Sequence, residues 1–375
     1  MYQENITCKR CIMNSTVPGI EFDSNGICTY CNIQERMEKE YPLDGSQEKR
    51  LEQNIKEIKE AGKGKKYDCA MGVSGGCDSS YLLYLTKKYD LRVIAFTLDN
   101  NWGSDISTNN IKKMISKLDV DLYTHTIDEE EFNDISRSFL YASVPDMDIP
   151  SDIAIAKLYY MVMEKYDLDH SICGHSFRTE GTTPLGWTYM DGKYIESVHS
   201  KFGKIPIKTL PHLSLDYWLE HANKKRFRML YYMDYNKGKV IDFLKSEFDW
   251  EWYGGHHFEN GYTKFVKAYM LPVKFNIDKR YVEFSALIRS GQMDREEALN
   301  SISTVPSLPD DFVRRVLNKL NISEEQFSGI MDLPIKTYRD YKTYKDFFIK
   351  NKEMLKGMVE KGLIPMTFYE KYTCE

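Results

Sequence analysis

At 375 residues the chain is longer than a single hydrophobic core usually serves, so two or three domains are expected. Hydrophobic residues at 42% and charged residues at 29%, with only 22 glycines and 12 prolines, exclude a disordered, collagen-like or low-complexity chain. A formal charge of −5 excludes the overall cationic excess that drives non-specific binding to nucleic acid, leaving room only for a local basic groove. No apolar run approaches the roughly 20 residues of a bilayer span. The first residues, Met1 to Asn5, lack the charged and apolar regions of a signal peptide, so a cytoplasmic protein is expected.

Cys8 and Cys11 enclose two residues, Cys28 and Cys31 enclose two more, and sixteen residues separate the pairs. Two such knuckles form the pattern of a zinc ribbon, in which four thiolates converge tetrahedrally while Pro18-Gly19 and Asn25-Gly26 turn the linker back. With sulfur filling every valence the zinc is structural, since catalytic zinc keeps a position open for water. The remaining cysteines, Cys69, Cys77, Cys173 and Cys374, show no metal spacing.

Residues 46–63 have helical period, with Leu51, Ile55 and Ile58 on one face. Tyr67 to Val73 reads as a buried strand, Ser74 to Ser80 as a glycine loop, and Tyr81 to Lys88 as a helix. Strands over 92–98, 121–127 and 170–173 then alternate with helices over 109–118, 129–140 and 151–166. This predicts an α/β fold with a doubly wound, mostly parallel sheet that binds ligands at the carboxyl ends of its strands. Beyond residue 181 the pattern passes into mixed aromatic segments and then helices, including 294–301, 324–331 and 350–361. The expected division is a zinc ribbon at 1–45, an α/β domain at 46–255 and a mostly helical region at 256–375. Lys224 to Arg228 is the densest basic cluster, suited to a phosphate, a partner or solvent.

The loop Ser74-Gly75-Gly76-Cys77-Asp78-Ser79-Ser80 has neither a Walker lysine nor a GxGxxG spacing. Adjacent glycines let backbone amides face phosphate oxygens, serine hydroxyls add donors, and the following helix contributes its positive end. Asp78 suits such a loop through a magnesium ion, which it can ligate. Ser-Gly-Gly-x-Asp-Ser after an apolar strand resembles the PP-loop ATP pyrophosphatases. The resemblance implies that ATP is split between its α and β phosphates, with Ser74, Gly75, Gly76, Asp78, Ser79, Ser80, Asp99 and Gly174 around the nucleotide and magnesium.

Further segments narrow the likeness. The cysteine knuckles ahead of the loop, Gly174 to Pro184, Tyr253 to Asn260, Phe275 to Arg280, Ser290 to Met293 and Arg295 to Leu299 together resemble the N-acetyl sugar amidotransferases of surface-polysaccharide and nonulosonic-acid pathways. That family implies conversion of an N-acetyl group on a sugar nucleotide to an acetamidino group, ATP activating the amide oxygen and ammonia displacing AMP. Lys279, Arg280 and His257 become candidates for the chemistry, and Arg178, Glu180, His256 and Lys264 for the sugar. Each of these basic residues also has an ordinary structural reading, and Glu180 and Arg178 can equally form a buried salt bridge. Adjacent histidines on a strand would point to opposite faces and lack the HExxH spacing, so positioning, proton transfer or a structural role is expected of His256 and His257 rather than metal binding. No glutaminase element is visible in the sequence. The family therefore implies a separate glutaminase and a barrel-type ammonia-supplying subunit as partners.

A PP-loop tRNA-modifying enzyme of the thiolation type is the competing reading, because zinc ribbons accompany the loop there as well. It calls for a reactive cysteine pair or a basic tRNA surface. Cys69 and Cys77 are not so spaced, and the charge of −5 makes nucleic acid an unlikely partner.

Overall fold

The computed structural model describes residues 6–184 and 186–373; Cys374 lies outside them. Strands β1 (Cys69–Gly72), β2 (Val93–Asp99), β3 (Asp121–Thr126), β4 (His170–Ile172) and β5 (Lys225–Phe227) form one parallel sheet of order β3-β2-β1-β4-β5. The chain runs outward from β1 through β2 to β3 and then restarts on the other side with β4. The strand order therefore reverses between β1 and β4, where an open α/β sheet leaves a crevice at its carboxyl edge.

Around the sheet lie α1 (Thr29–Glu40), α2 (Ser46–Ala61), α3 (Cys77–Lys88), α4 (Asp105–Leu118), α5 (Glu129–Ala142), α6 (Ile149–Lys165), α7 (Phe177–Glu180), α8 (Gly192–Phe202), α9 (Leu215–Glu220) and α10 (Lys237–Phe248). Strand side chains alternate between faces. Cys69, Met71, Val93 and Ala95 meet Leu51, Ile55 and Ile58 of α2, Leu82 and Leu85 of α3, Met114 of α4 and Leu244 and Phe248 of α10. On the opposite face Ala70, Ile94 and Phe96 meet Leu158, Val162 and Met163 of α6. There Phe96 sets its edge against Tyr159 with centroids 4.7 Å apart, a contact worth about 0.5–1.5 kcal/mol beyond area burial. The sheet is thus wound on both faces, as the alternation predicts.

Two local differences matter. The helix after the glycine loop begins at Cys77, not Tyr81, so Asp78, Ser79 and Ser80 belong to its first turn. The basic cluster contains the edge strand β5, with Lys224 bound to Asp169 at 2.9 Å and Arg226 lying 4.2 Å from the Tyr159 ring centroid. Charge on a short edge strand discourages pairing with another chain.

The cysteine module shares a continuous core with the C-terminal helices: Cys8, Cys11, Met13, Val17, Cys28 and Cys31 are buried in one cluster with Trp187, Phe265, Val282 and Tyr372. Polar ties reinforce it. Arg295 donates to the carbonyls of Cys11 and Cys8, both at 3.2 Å, and Arg289 donates to the Tyr30 carbonyl at 3.2 Å and to Gln34 at 3.1 Å. Among the described residues, no helix is long and apolar enough to cross a membrane.

Arg295→Ala leaves two buried knuckle carbonyls without their donor. It is expected to cost about 1–3 kcal/mol, read as a lower thermal midpoint with faster metal release to a thiol-reactive dye. A midpoint and release rate equal to wild type would show that apolar packing alone holds the module.

Candidate functional site

The glycine loop leaves β1 at the crevice. Gly75 has φ +76°, and a β-carbon there would fall 2.2 Å from the Ser107 carbonyl oxygen, so only glycine passes. Its own carbonyl accepts from the Trp250 indole at 3.1 Å and from Asn110 at 3.2 Å. Ser79 Oγ accepts from the Ser74 amide at 3.2 Å, and the Cys77 amide donates to the Tyr253 hydroxyl at 3.2 Å. The loop is pinned from beneath. The amides of Asp78 and Ser79, in the first turn of α3, have no helical acceptor and suit an anion.

Asp78 is the half-buried charge at the centre. Burial pushes its carboxyl up to about 6, with Glu180 adding to the rise while Lys237 and the Tyr235 hydroxyl oppose it. Tyr235 donates to Asp78 Oδ1. Lys237 Nζ lies 3.1 Å from His256 Nδ1 and 3.3 Å from Glu283 Oε1. Burial alone would pull that lysine down, yet Glu283 and Asp78 outweigh it and hold the ammonium. Gln292 ties this pair in place, accepting from the Lys237 amide and donating to the Tyr235 carbonyl, both at 2.9 Å. Burial also pushes the Cys77 thiol up to about 12, which makes it a poor nucleophile.

His256 and His257 lie in a turn rather than a strand, which corrects the expectation that they face apart. His257 adopts φ +63°, and the two ring centroids are 3.8 Å from each other. Burial, with the charges of His257 and Lys237, drives His256 well below the usual histidine range. The turn is anchored on the segment after β2, where the Ser104 amide donates to the Glu259 carbonyl at 2.8 Å and Asn260 donates to Asn100 at 3.0 Å. From β4, Gly174 runs against the first turn of α3, and Glu180 Oε1 accepts from the Ser176 amide at 3.1 Å.

Ser74, Gly75, Gly76, Asp78, Ser79, Gly174, Glu180, His256 and His257 therefore converge on one crevice, with Ser80 buried on α3 beside it. The other sequence candidates have partners of their own. Asp99 ends β2 and caps its own turn, Oδ1 accepting from the Asn101 amide at 2.9 Å. Arg178 is buried and donates to the carbonyls of Tyr231 at 3.1 Å and Tyr41 at 2.5 Å. Arg280 forks onto Asp278 and donates to the carbonyls of Ser301 at 3.0 Å and Thr304 at 2.7 Å. Lys264 sits over the rings of Phe258 and Phe312, at 5.2 and 5.1 Å from their centroids.

Lys279 belongs to a second polar region. Its ammonium donates to Thr188 at 2.7 Å, and burial with the charges of Lys267 and Lys371 pulls it down to about 7. Asp146 is pushed up to about 6 by burial, and Asp148 likewise by burial and the charge of Asp152. Asp152 stands at the surface in the first turn of α6, where the surrounding protein raises its carboxyl and the charge of Lys267 opposes the rise. Lys267 projects from a π-helical turn, Val266–Met270, a distortion common at functional sites. His257 bears electrostatically on Asp78 on one side and on Asp148 and Asp152 on the other, so it stands where the two regions meet.

Tyr235, Lys237, Asp148, Asp152 and Lys267 were not singled out from sequence. No motif surrounds them: Asp148 and Asp152 stand at the start of α6, while Tyr235, Lys237 and Lys267 come from the later half of the chain.

The four knuckle sulfurs suit a metal. One ligand atom from each lies within 4.8 Å of the others, and the Cys8–Cys31 and Cys11–Cys28 sulfurs are 3.7 Å apart. That is far beyond a disulfide and close to the edge of a tetrahedron with zinc–sulfur bonds of about 2.3 Å. Asp78 and Glu180 offer the oxygen donors that magnesium prefers.

Because the Asp78 carboxyl is raised in the folded state, the stability it lends is complete below its unfolded pKa and is lost as pH rises through about 6. Asp78→Asn is therefore expected to melt higher than wild type at pH 8, by up to about 3 kcal/mol, with the gap closing as pH falls toward 4. A gap independent of pH would contradict the buried charge.

Residues 259–356 match the family described as LPS biosynthesis protein WbpG-like, C-terminal domain. No curated protein matches the chain. Solved structures similar to it include NMN synthetase from Francisella tularensis, at 13% identity and a TM-score of 0.33, covering 78% of this chain and 99% of that one. An NH3-dependent NAD synthetase from Campylobacter jejuni gives 13%, 0.30, 78% and 99%. The U34-tRNA thiolase NcsA from Methanococcus maripaludis gives 13%, 0.31, 80% and 89%. At such scores these likenesses carry no weight for reaction or ligand. The chain thus joins a parallel sheet, whose first strand leads into the SGGxDS loop, to a stretch at residues 259–356 that is similar to the WbpG-like C-terminal domain.

Proposed function

We propose that the protein is an ATP-dependent N-acetyl sugar amidotransferase, forming an acetamidino group on a nucleotide-linked sugar for surface-polysaccharide synthesis in the cytoplasm. The observation that carries this reading is the meeting of the two polar regions at His257. The loop Ser74–Ser80 lies on one side, and the charged group of Lys267, Lys279, Asp148 and Asp152 on the other. Support comes from the WbpG-like segment, which includes Lys267 and Lys279.

In this reading the loop amides and the Ser74 and Ser79 hydroxyls hold the phosphates of ATP. Asp78 would hold magnesium, whose charge would offset that of the departing pyrophosphate. The acetamido oxygen attacks the α phosphorus, the bond to the β-phosphate bridging oxygen breaks, and an O-adenylyl imidate forms. Ammonia then adds to the imidate carbon, its surplus proton passes to a neighbouring base, and the C–O bond breaks to release AMP. Lys279, held near neutrality by its surroundings, can exchange a proton at working pH. Asp148 and Asp152 accept hydroxyl protons of the sugar in hydrogen bonds. Ammonia reaches the site from a separate glutaminase through a barrel-type partner.

The test incubates the protein with ATP, magnesium, ammonium and a panel of N-acetylated nucleotide sugars. AMP together with a sugar product lighter by about 1 Da is expected. Asp78→Ala should abolish AMP formation, and Lys267→Ala should raise KM for the sugar roughly tenfold or more. No AMP with any sugar, and thiolation of tRNA instead, would overturn the reading.

A further inference from the structure

Glu180, His256 and His257 each offer one ligand atom, and these lie within 4.8 Å of one another at the carboxyl edge of the sheet. Glu180 ends α7, while His256 and His257 are neighbours in the turn 254–259, so the meeting of the carboxylate with the two imidazoles is a product of the fold. Each imidazole has a carboxylate on its Nδ1 side: Glu283 Oε1 at 3.8 Å from His256 and Glu259 Oε1 at 3.7 Å from His257. A carboxylate behind a histidine is the usual outer-shell arrangement of a metal ligand, and it leaves Nε2 free to bind. Glu180 is held in the same manner, one oxygen taking the Ser176 amide and the other left over. Glu259 adds an independent sign, since its Oε2 is buried without any hydrogen-bond partner.

We propose that Glu180, His256 and His257 form a second metal site, separate from the cysteine ribbon, that takes a divalent transition metal such as zinc, manganese or iron. Two imidazoles and one carboxylate favour such ions over magnesium, which prefers oxygen alone. Three protein ligands leave positions open to solvent or substrate, unlike the closed set of four sulfurs. Lys237 is the group that must adjust. It now lies between His256 Nδ1 and Glu283; with Nε2 on a metal, Nδ1 carries the proton and Glu283 becomes its acceptor. The site does not depend on the reaction proposed above, because it rests on donor geometry alone.

The full-length protein, stripped with a chelator and reloaded with cobalt(II), tests this. Wild type is expected to bind about two equivalents. One shows strong thiolate-to-cobalt absorption, and the other shows only weaker visible bands and leaves readily to EDTA. His257→Ala and Glu180→Gln should each lose the second equivalent while keeping the thiolate band, which also reports that the protein is folded. Excess magnesium should not displace it. A single equivalent in wild type, or a second one unchanged in both variants, would overturn the proposal.

Discussion

Burying a carboxylate at the first turn of α3 sets the terms for the whole molecule. Asp78 lies at the point where the strand order reverses, so it cannot leave the crevice, and burial alone would keep it protonated. Tyr235 and Lys237 answer that cost from α10 and the segment before it, and Glu283 and Gln292 then hold Lys237 from the C-terminal helices. One unfavourable charge thus ties the sheet, the helix at 237–248 and the C-terminal region together.

The C-terminal half supplies walls more than it supplies a separate body. Its turn at 254–259 hangs from the segment after β2, and it brings Lys267 and Lys279 to the second polar region. The cysteine module shares one core with these segments, and Arg289 and Arg295 donate to its backbone. A closed metal site there would stiffen the helix Arg280–Arg289, from which Glu283 reaches Lys237. The route from ribbon to crevice is a short chain of packed elements, not a direct contact.

What could be read from sequence follows from how local each signal is. The knuckle spacing and the SGGxDS loop are complete within a few residues of chain, so both were legible, as was the alternation that predicts the sheet. The edge strand β5 was not, because Lys225-Arg226-Phe227 is too short and too charged to show a period. The histidine pair misled for a different reason: a left-handed residue that is not glycine leaves no mark in sequence, and at His257 it turns two neighbouring rings to one side. Arg178 and Arg280 looked available, yet each guanidinium is engaged by backbone carbonyls that only folding brings near. Lys237 and Asp152 were invisible, since their roles come from neighbours distant along the chain. The family match itself runs to residue 356, well into the stretch that had offered little to read.

The central claim is that the acetamido oxygen, and no other nucleophile, attacks the α phosphate. It is tested most directly with an N-acetyl sugar nucleotide carrying ¹⁸O in the acetyl carbonyl, turned over with ATP and ammonium. The account predicts that the label leaves the sugar and appears in AMP, one atom per turnover. Label retained on the sugar, or found in pyrophosphate or water instead, would contradict it.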